Sequence, residues 1–204
     1  MAAFRAGIAL FAVLAVSLRA LAGDPDIMAD FITPPGVIPD GNFFTFRGID
    51  PVVNQLNEVP FRVTNLTQAD FPALAGQSVS LTVLRFASSP GAVNPPHFHP
   101  RAAELLIMTE GALNVGFVDS TNRLFNQTLY VGDTFVFPKG LVHFQVNVDP
   151  IYSATAISAF GSADPGTISL PKTIFGSHIQ DSVLAEAFKT DAVTVGKLVS
   201  ANSG

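Results

Sequence analysis

The stretch Gly91-Ala-Val-Asn-Pro-Pro-His97-Phe-His99-Pro-Arg-Ala-Ala-Glu104 brings two imidazoles and a carboxylate close together in the sequence. In a β-strand, side chains two residues apart project from the same face, so His97 and His99 are expected to point together. Strict alternation would send Glu104 to the opposite face. Because Pro100 interrupts strand pairing and permits a turn, Glu104 can instead open an adjacent strand that faces the same way. The stretch therefore predicts a strand, a turn and a second strand with three potential metal ligands.

A second stretch, Gly132-Asp-Thr-Phe-Val-Phe-Pro138-Lys-Gly140-Leu-Val-His143-Phe-Gln-Val-Asn147, supplies a candidate fourth ligand. Pro138 and Gly140 mark a tight turn between two apolar runs, and His143 follows that turn. A lone histidine in an apolar stretch is usually a core or surface residue, whereas three histidines placed with one glutamate favour a metal centre. His178 has no candidate ligand near it in the sequence and is expected in a loop. The predicted ligands are His97, His99, Glu104 and His143.

Composition limits the kinds of protein that this chain can be. The chain has 204 residues, of which 48% are hydrophobic and 13% charged, and its mean hydropathy is +0.40. These values suit one domain with a substantial core and a targeting segment. The net charge is −5 and the isoelectric point about 5.2. Without any basic run, the chain lacks the positive face that binds phosphate backbones, so no nucleic-acid partner is expected.

The N-terminus predicts a secretory signal peptide over residues 1–22. Arg5 precedes a short apolar stretch, and the small-residue triplet Ala20-Leu21-Ala22 provides a cleavage site. The apolar stretch is too short to span a bilayer, so a transmembrane anchor is the weaker alternative and no membrane attachment is expected after cleavage. Sequons at Asn65 and Asn126 are candidate glycosylation sites and agree with secretion.

Short strands dominate the sequence between residues 45 and 159. The strongest candidate lies at residues 79–86. Further strands are predicted at 104–109, 112–119, 127–131, 134–137, 141–146 and 153–159, and weaker ones at 45–46 and 61–64. Residues suited to tight turns separate them, as at Pro138-Lys-Gly140. This spacing is typical of an all-β sandwich or barrel.

Several of these strands are apolar on both faces. In residues 141–146, Leu141 and His143 share one face, while the opposite face carries Val142, Phe144 and Val146. A strand with one solvated face alternates between polar and apolar residues, so the outer face is expected to be covered by another sheet or another subunit. Self-association is the interpretation that we favour, with sheet packing inside one chain as the alternative.

The C-terminal segment changes to a helical period. Apolar residues recur at helical intervals at Val183, Leu184, Ala187 and Phe188, and again at Val195, Leu198 and Val199. Two short helices are therefore predicted, the first capped by Asp181 or Ser182 and the second by Asp191.

The two ligand-bearing stretches resemble the two sequence boxes of germins and germin-like proteins, plant extracellular members of the cupin superfamily. The matching residues are Gly91, His97, His99, Glu104 and Gly111 in the first box and Gly132, Pro138, Gly140, His143 and Asn147 in the second. Residues 24–31 and 171–176 also resemble family segments. One departure is the absence of cysteine: the family usually carries an N-terminal pair, and Ile32 is the expected packing substitute.

The resemblance implies a cupin jelly-roll β-barrel with short C-terminal α-helices. It implies a single germin-type domain over residues 23–204, with an N-terminal arm at 23–60, the barrel core at 61–165 and the helices at 180–200. It also implies a homo-oligomer, a hexamer built as a trimer of dimers, located in the extracellular space of the plant apoplast or cell wall.

The metal and the reaction are implied by the resemblance rather than by the ligand set. Imidazole ligands suit Zn, Cu, Fe or Ni as well, and Mn binds weakest in the usual order, so the family alone implies Mn. Superoxide dismutase activity, with superoxide or another small anion at the metal, is the leading hypothesis. Oxalate oxidase is the alternative; in those enzymes two asparagines hold the substrate, and here Asn94 matches one, while Thr82 stands in place of the other. A non-catalytic metal-binding wall or storage protein is the third hypothesis.

Overall fold

The computed structural model describes residues 24–49, 59–88 and 92–203. The predicted signal peptide at residues 1–22 and the first-box Gly91 lie outside these ranges. Within them, no helix is long and apolar enough to cross a membrane.

Ten β-strands in the described ranges form two five-stranded antiparallel sheets. The strands are β1 (Phe61–Leu66), β2 (Ser80–Phe86), β3 (Val93–Phe98), β4 (Glu104–Glu110), β5 (Ala112–Val118), β6 (Leu124–Tyr130), β7 (Thr134–Phe137), β8 (His143–Val146), β9 (Ala154–Phe160) and β10 (Ile168–Ser169). The first sheet has the order β1-β2-β9-β4-β7 and the second β10-β3-β8-β5-β6. Strands that are distant in sequence therefore pair in both sheets, as in a jelly roll.

The helices of the described chain are short and follow the strands. They are α1 (Leu170–Phe175), α2 (Asp181–Ala187) and α3 (Ala192–Asn202), and a 3-10 turn covers Pro72–Leu74. The carboxylate of Asp191 accepts hydrogen bonds from the backbone N–H groups of Val193 and Thr194, which confirms the predicted cap of α3. The predicted cap of α2 is wrong, because its N-cap position is Gln180 and no side chain caps it. The expected all-β fold with short C-terminal helices is confirmed.

The core lies between the two sheets and is apolar over most of its length. Phe86, Leu106, Leu113 and Phe137 are each 0% exposed. Burial alternates along β4, where Glu104, Leu106 and Met108 face inward and Leu105 and Ile107 face outward. Because of this alternation, Glu104 enters the core at the same level as the ends of β3 and β8.

A one-residue turn at Gly111 links β4 to β5. Its φ is +69°, and a Cβ at this position would lie 2.3 Å from the carbonyl oxygen of Ser153. Both the backbone conformation and the lack of space require glycine there. This turn fixes the course of β4, the strand that carries Glu104.

Several strand predictions need correction. Residues 45–46 form no strand, because the N–H and hydroxyl of Thr45 bond to the carbonyl oxygens of Asn42 and Gly41 in a local turn. The strand predicted at 127–131 runs from Leu124 to Tyr130. It borders its sheet with an exposed face, so polar residues such as Asn126 are tolerated within it.

Hydrogen bonds and packing attach the N-terminal arm without cysteines. The Asp24 carboxylate accepts hydrogen bonds from the Ser162 hydroxyl and the Ala163 N–H, both at 2.6 Å. The side chains of Ile27 and Ile32 lie over Gly76, where a Cβ would clash with Ile27 at 2.4 Å. The arm therefore contacts the segment just after β9 through Asp24, and Ile32 lies against Gly76 while remaining 43% exposed.

Candidate metal centre

Three strand ends bring the four predicted ligands together. His97 is the penultimate residue of β3 and pairs directly with His143, the first residue of β8. His99 follows the end of β3, and Glu104 is the first residue of β4. Among the described residues, these four can each offer one ligand atom within 4.8 Å of the others. The structure thus contains the buried three-histidine, one-glutamate group that the sequence predicted.

All four side chains are removed from water. His97 is 3% exposed, His99 6%, Glu104 2% and His143 1%. Aromatic rings surround them: Phe137 stacks on His143 with ring centroids 4.5 Å apart, and Phe160 meets His99 edge-on at 4.8 Å. Burying so many polar groups costs free energy unless each has a partner, so the contacts within the group decide its chemistry.

Backbone carbonyls fix the tautomer of each histidine. Nδ1 lies 2.9 Å from the Pro95 oxygen in His97, 2.6 Å from the Gly166 oxygen in His99 and 2.8 Å from the Leu141 oxygen in His143. A carbonyl oxygen can only accept, so each Nδ1 carries the hydrogen and donates it. In the neutral rings, each Nε2 is then left with an unprotonated lone pair, as metal-binding histidines require.

The two oxygens of Glu104 have different partners. Oε2 lies 3.1 Å from Nε2 of His99 and 3.1 Å from Nε2 of His143. Oε1 accepts a hydrogen bond from the Ser158 hydroxyl at 2.6 Å and a longer one from Gln145 Nε2 at 3.4 Å. Ser158 and Gln145 therefore orient the carboxylate so that Oε2 points at the imidazoles.

This arrangement fits a cation. Nε2 of His99 and Nε2 of His143 each lie 3.1 Å from Oε2 of Glu104. When the rings are neutral, no hydrogen lies between these atoms, so both contacts are repulsive. Ligands about 2.1 Å from an octahedral metal are separated by about 3.0 Å, against about 3.4 Å around a tetrahedral one. The donor set and its spacing therefore suit a divalent ion held by Nε2 of His97, His99 and His143 and Oε2 of Glu104.

Burial and neighbours change the protonation of two ligands. Desolvation and the nearby His143 lower the pKa of His97 from 6.5 to about 4. Desolvation raises the pKa of Glu104, but its contacts with the His143 and His99 rings and the hydrogen bond from Ser158 outweigh it and bring the pKa from 4.5 to about 2. At neutral pH these two side chains are therefore in the forms that bind a metal.

A cavity of about 280 Å³ opens onto the four-ligand group. His97, His99 and Glu104 form its floor, and Asn94 lines it as well. The amide nitrogen of Asn94 donates to Gln145 Oε1 at 2.7 Å, which links Asn94 through Gln145 to Glu104. A small ligand can thus reach the group from solvent.

The remaining candidate residues lie in different places. His178 is an exposed loop residue that is not part of the group, as predicted. Asn126 is exposed on β6, whereas Asn65 lies on β1 at the cavity. Sequence reasoning missed Ser158 and Gln145. The signal available in the sequence was a single polar residue inside an apolar strand, as in Ala-Ile-Ser158-Ala-Phe. Ser158 is fully buried in the structure, but only strand pairing shows which partner it meets.

Comparison with known proteins identifies the family. A family model described as cupin matches residues 47–196. Germin-like protein 9-3 of Oryza sativa subsp. japonica is 52% identical over 186 residues, which cover 87% of this chain and 86% of the rice protein. The chain is a germin-like member of the cupin family.

Solved structures of oxalate oxidase share the fold of this germin-like chain. One, from a structural and spectroscopic study of the enzyme's mechanism, is 33% identical with a TM-score of 0.78 and covers 89% of this chain and 98% of the enzyme. Another, in complex with the substrate analogue glycolate, is 32% identical with the same TM-score and coverage.

Replacing any one of the three histidines should reduce metal binding and stability together. We expect His97→Ala, His99→Ala and His143→Ala each to lower metal affinity by at least about 100-fold, because even outer ligand partners contribute 10–100-fold. The melting temperature of the metal-loaded sample should fall too, since the ion binds only the folded chain. Glu104→Gln, which keeps the shape but removes the charge, should retain more metal than the alanine variants.

Metal content and thermal unfolding of each purified variant test this expectation. His178→Ala is the matched control, because it removes an exposed histidine outside the group and should leave both quantities unchanged. A full complement of metal in any one histidine variant would exclude that residue as a ligand.

Acid should destabilise the metal-free protein through His97 and Glu104. The folded chain holds the pKa of His97 at about 4 against 6.5 and that of Glu104 at about 2 against 4.5. The unfolded chain therefore binds protons more readily, and stability falls as the pH drops from about 6.5 to 4 through His97 and further from 4.5 to 2 through Glu104. Melting temperatures across this range measure the effect, and the upper part should flatten in His97→Ala. A melting temperature independent of pH between 6.5 and 4 would contradict this account of His97.

Proposed function

We propose that this germin-like protein is secreted, binds manganese and dismutates superoxide in the extracellular space of the plant apoplast. The observation that carries the proposal is the buried three-histidine, one-glutamate group at the floor of an open cavity. Three neutral imidazoles and one carboxylate around a divalent ion leave one net positive charge. An anion as small as superoxide is attracted to such a centre and fits the cavity without further recognition.

Manganese is proposed from the family rather than from the ligands. The donor set alone suits several first-row metals. The resemblance to germins implies Mn. The 3.1 Å spacing between the donor atoms of this chain agrees with an octahedral ion that keeps positions open to small ligands. An ion held by the three histidines and Glu104 would supply one-electron redox chemistry, and the overall reaction would convert two superoxide ions and two protons to oxygen and hydrogen peroxide.

The chain's own residues would hold and isolate this centre. The carbonyl groups of Pro95, Leu141 and Gly166 keep each Nε2 free of hydrogen. Ser158 and Gln145 hold the distal oxygen of Glu104. Fixed donors of this kind keep the coordination unchanged while the charge of the ion changes, so little reorganisation is needed.

Oxalate oxidase is the second candidate function. Its support is the likeness to oxalate oxidase structures and the position of Asn94 on the cavity wall. Against it stands Thr82, which the resemblance places where those enzymes hold the substrate with an asparagine. Losing an amide donor to a buried carboxylate costs about 1–3 kcal/mol. A wall or storage protein with a non-catalytic metal is the third candidate, and it needs only the buried ligand group.

Self-association and secretion belong to the same proposal. The outer face of the first sheet exposes Leu105 by 52%, Ile107 by 40% and Val136 by 53%. Helix α2 and its C-cap likewise expose Val183 by 52% and Phe188 by 51%. Apolar faces of this kind favour a homo-oligomer, proposed as a trimer of dimers by the germin resemblance. The signal peptide at residues 1–22 and a glycan at Asn126 are proposed from the sequence. The second predicted sequon, at Asn65, lines the cavity, and its side chain is proposed to remain free.

Two assays on one manganese-loaded sample distinguish the three functions. Superoxide dismutation should be present and should disappear in His97→Ala. Oxalate-dependent peroxide release should be weak in the wild-type protein and should rise in Thr82→Asn without a change in metal content, while the isosteric Thr82→Val should show no rise. Robust peroxide release from the wild-type protein would contradict the proposal in favour of oxalate oxidase. Full metal content without either activity would favour the wall or storage protein.

A further inference from the structure

A polar row crosses the inner face of the first sheet beside the metal centre. Asn65, Thr82 and Ser158 lie directly opposite one another on β1, β2 and β9. The next inward-facing row along the same strands is apolar and consists of Val63, Leu84 and Ala156. On this side the polar row therefore ends at the level of the ligand group, where Asn65 and Thr82 line the cavity.

Ser158 already donates its hydroxyl hydrogen to the metal centre, at 2.6 Å from Glu104 Oε1. The other two residues bond to each other: the Thr82 hydroxyl donates to Asn65 Oδ1 at 3.1 Å. Both line the cavity whose floor is formed by His97, His99 and Glu104. The pair of Asn65 and Thr82, which we call the amide–hydroxyl pair, thus faces the ligand space.

The amide–hydroxyl pair offers one donor and one acceptor to a ligand. The Thr82 hydroxyl uses its single proton on Asn65, so its oxygen is left to accept and the Asn65 amide nitrogen to donate. Exchanging the nitrogen and oxygen of the Asn65 amide would reverse the two roles and again leave one donor and one acceptor. The group that satisfies such a pair is a ligand hydroxyl, which both donates and accepts.

The other residues that line the cavity limit the carbon chain and the charge of this ligand. Val63 and Leu84 line the space beside the pair and favour an aliphatic segment. Asp164 also lines the cavity; its side chain is 53% exposed and pairs with Arg101 at 2.8 Å. Arg101 offsets the charge of this carboxylate, and no lysine or arginine is among the described residues that line the cavity. A second carboxylate would therefore lack a cationic partner there, and an uncharged polar end is favoured.

We propose that the cavity binds a short hydroxycarboxylate, with the carboxylate at the metal and the hydroxyl at the amide–hydroxyl pair. This assignment rests on the proposed metal centre and specifies its ligand class. Directly paired side chains on neighbouring strands are about 5 Å apart, and Thr82 lies one strand beyond Ser158. The hydroxyl must therefore be separated from the carboxylate by two or three carbons. Glycolate, in which one carbon separates the two groups, is too short to reach the pair.

Binding of a matched ligand series to the manganese-loaded protein tests the assignment. The protein is produced without glycans, because a glycan at Asn65 would replace a hydrogen on the donating nitrogen. Butyrate, β-hydroxybutyrate, γ-hydroxybutyrate and succinate are titrated, and binding is followed by calorimetry and by the electron paramagnetic resonance of the bound ion. Two hydrogen bonds should give the better hydroxybutyrate about tenfold tighter binding than butyrate.

Two variants distinguish the contribution of the amide–hydroxyl pair to binding from that of the metal. Asn65→Ala should remove most of the hydroxyl preference and leave butyrate affinity and metal content unchanged. Asn126→Ala is the matched control, since it removes another exposed sequon asparagine, on the second sheet and away from this cavity, and it should behave as the wild-type protein does.

The outcomes distinguish this assignment from the proposed function. Equal binding of butyrate and both hydroxybutyrates, or the same hydroxyl preference in Asn65→Ala as in the wild-type protein, would overturn the hydroxyl assignment while the metal centre stands. Tighter binding of succinate than of either hydroxybutyrate would overturn the assignment of an uncharged end to the ligand. Failure to retain manganese, measured before any titration, would overturn the proposed function itself and the assignment that depends on it.

Discussion

The repulsion among three electron-pair donors is the constraint on which the rest of this structure depends. Nε2 of His99, Nε2 of His143 and Oε2 of Glu104 lie at 3.1 Å contacts inside a buried, aromatic-lined space. With each Nδ1 hydrogen committed to a carbonyl, neutral rings hold no proton to relieve this repulsion. A cation bound between the donors turns the repulsion into ligation, so the fold keeps an arrangement that is unfavourable without one.

The barrel supplies what keeps these donors in place. Strand alternation turns Glu104 inward, and the pairing of β4 with β9 places it near Ser158, whose hydroxyl holds the distal oxygen. Gln145, two residues after His143 on the same face of β8, contacts that oxygen and links it to Asn94. The same inner face is apolar farther along the strands. One level of the core therefore holds the ligand group, and the apolar level farther along the strands stabilises the fold.

The ligands could be predicted from the sequence, but most of their supporting contacts could not. His97 and His99 follow from the two-residue period of a strand, and Glu104 and His143 from turns marked by Pro100 and Gly140. These are local signals. Ser158 and Asn65 acquire their roles through pairing with strands distant in sequence, which no local pattern reveals. The false strand at residues 45–46 arose from β-branched and aromatic composition, which a side-chain turn overrode.

Anomalous diffraction from crystals of the purified, untreated protein tests the central claim most directly. Data collected on either side of the manganese absorption edge would locate and identify any bound ion. The account predicts one peak per chain, bonded to Nε2 of His97, His99 and His143 and to Oε2 of Glu104. Crystals that show no metal at this position after incubation with manganese, or an ion bound through Nδ1 of these histidines, would contradict it.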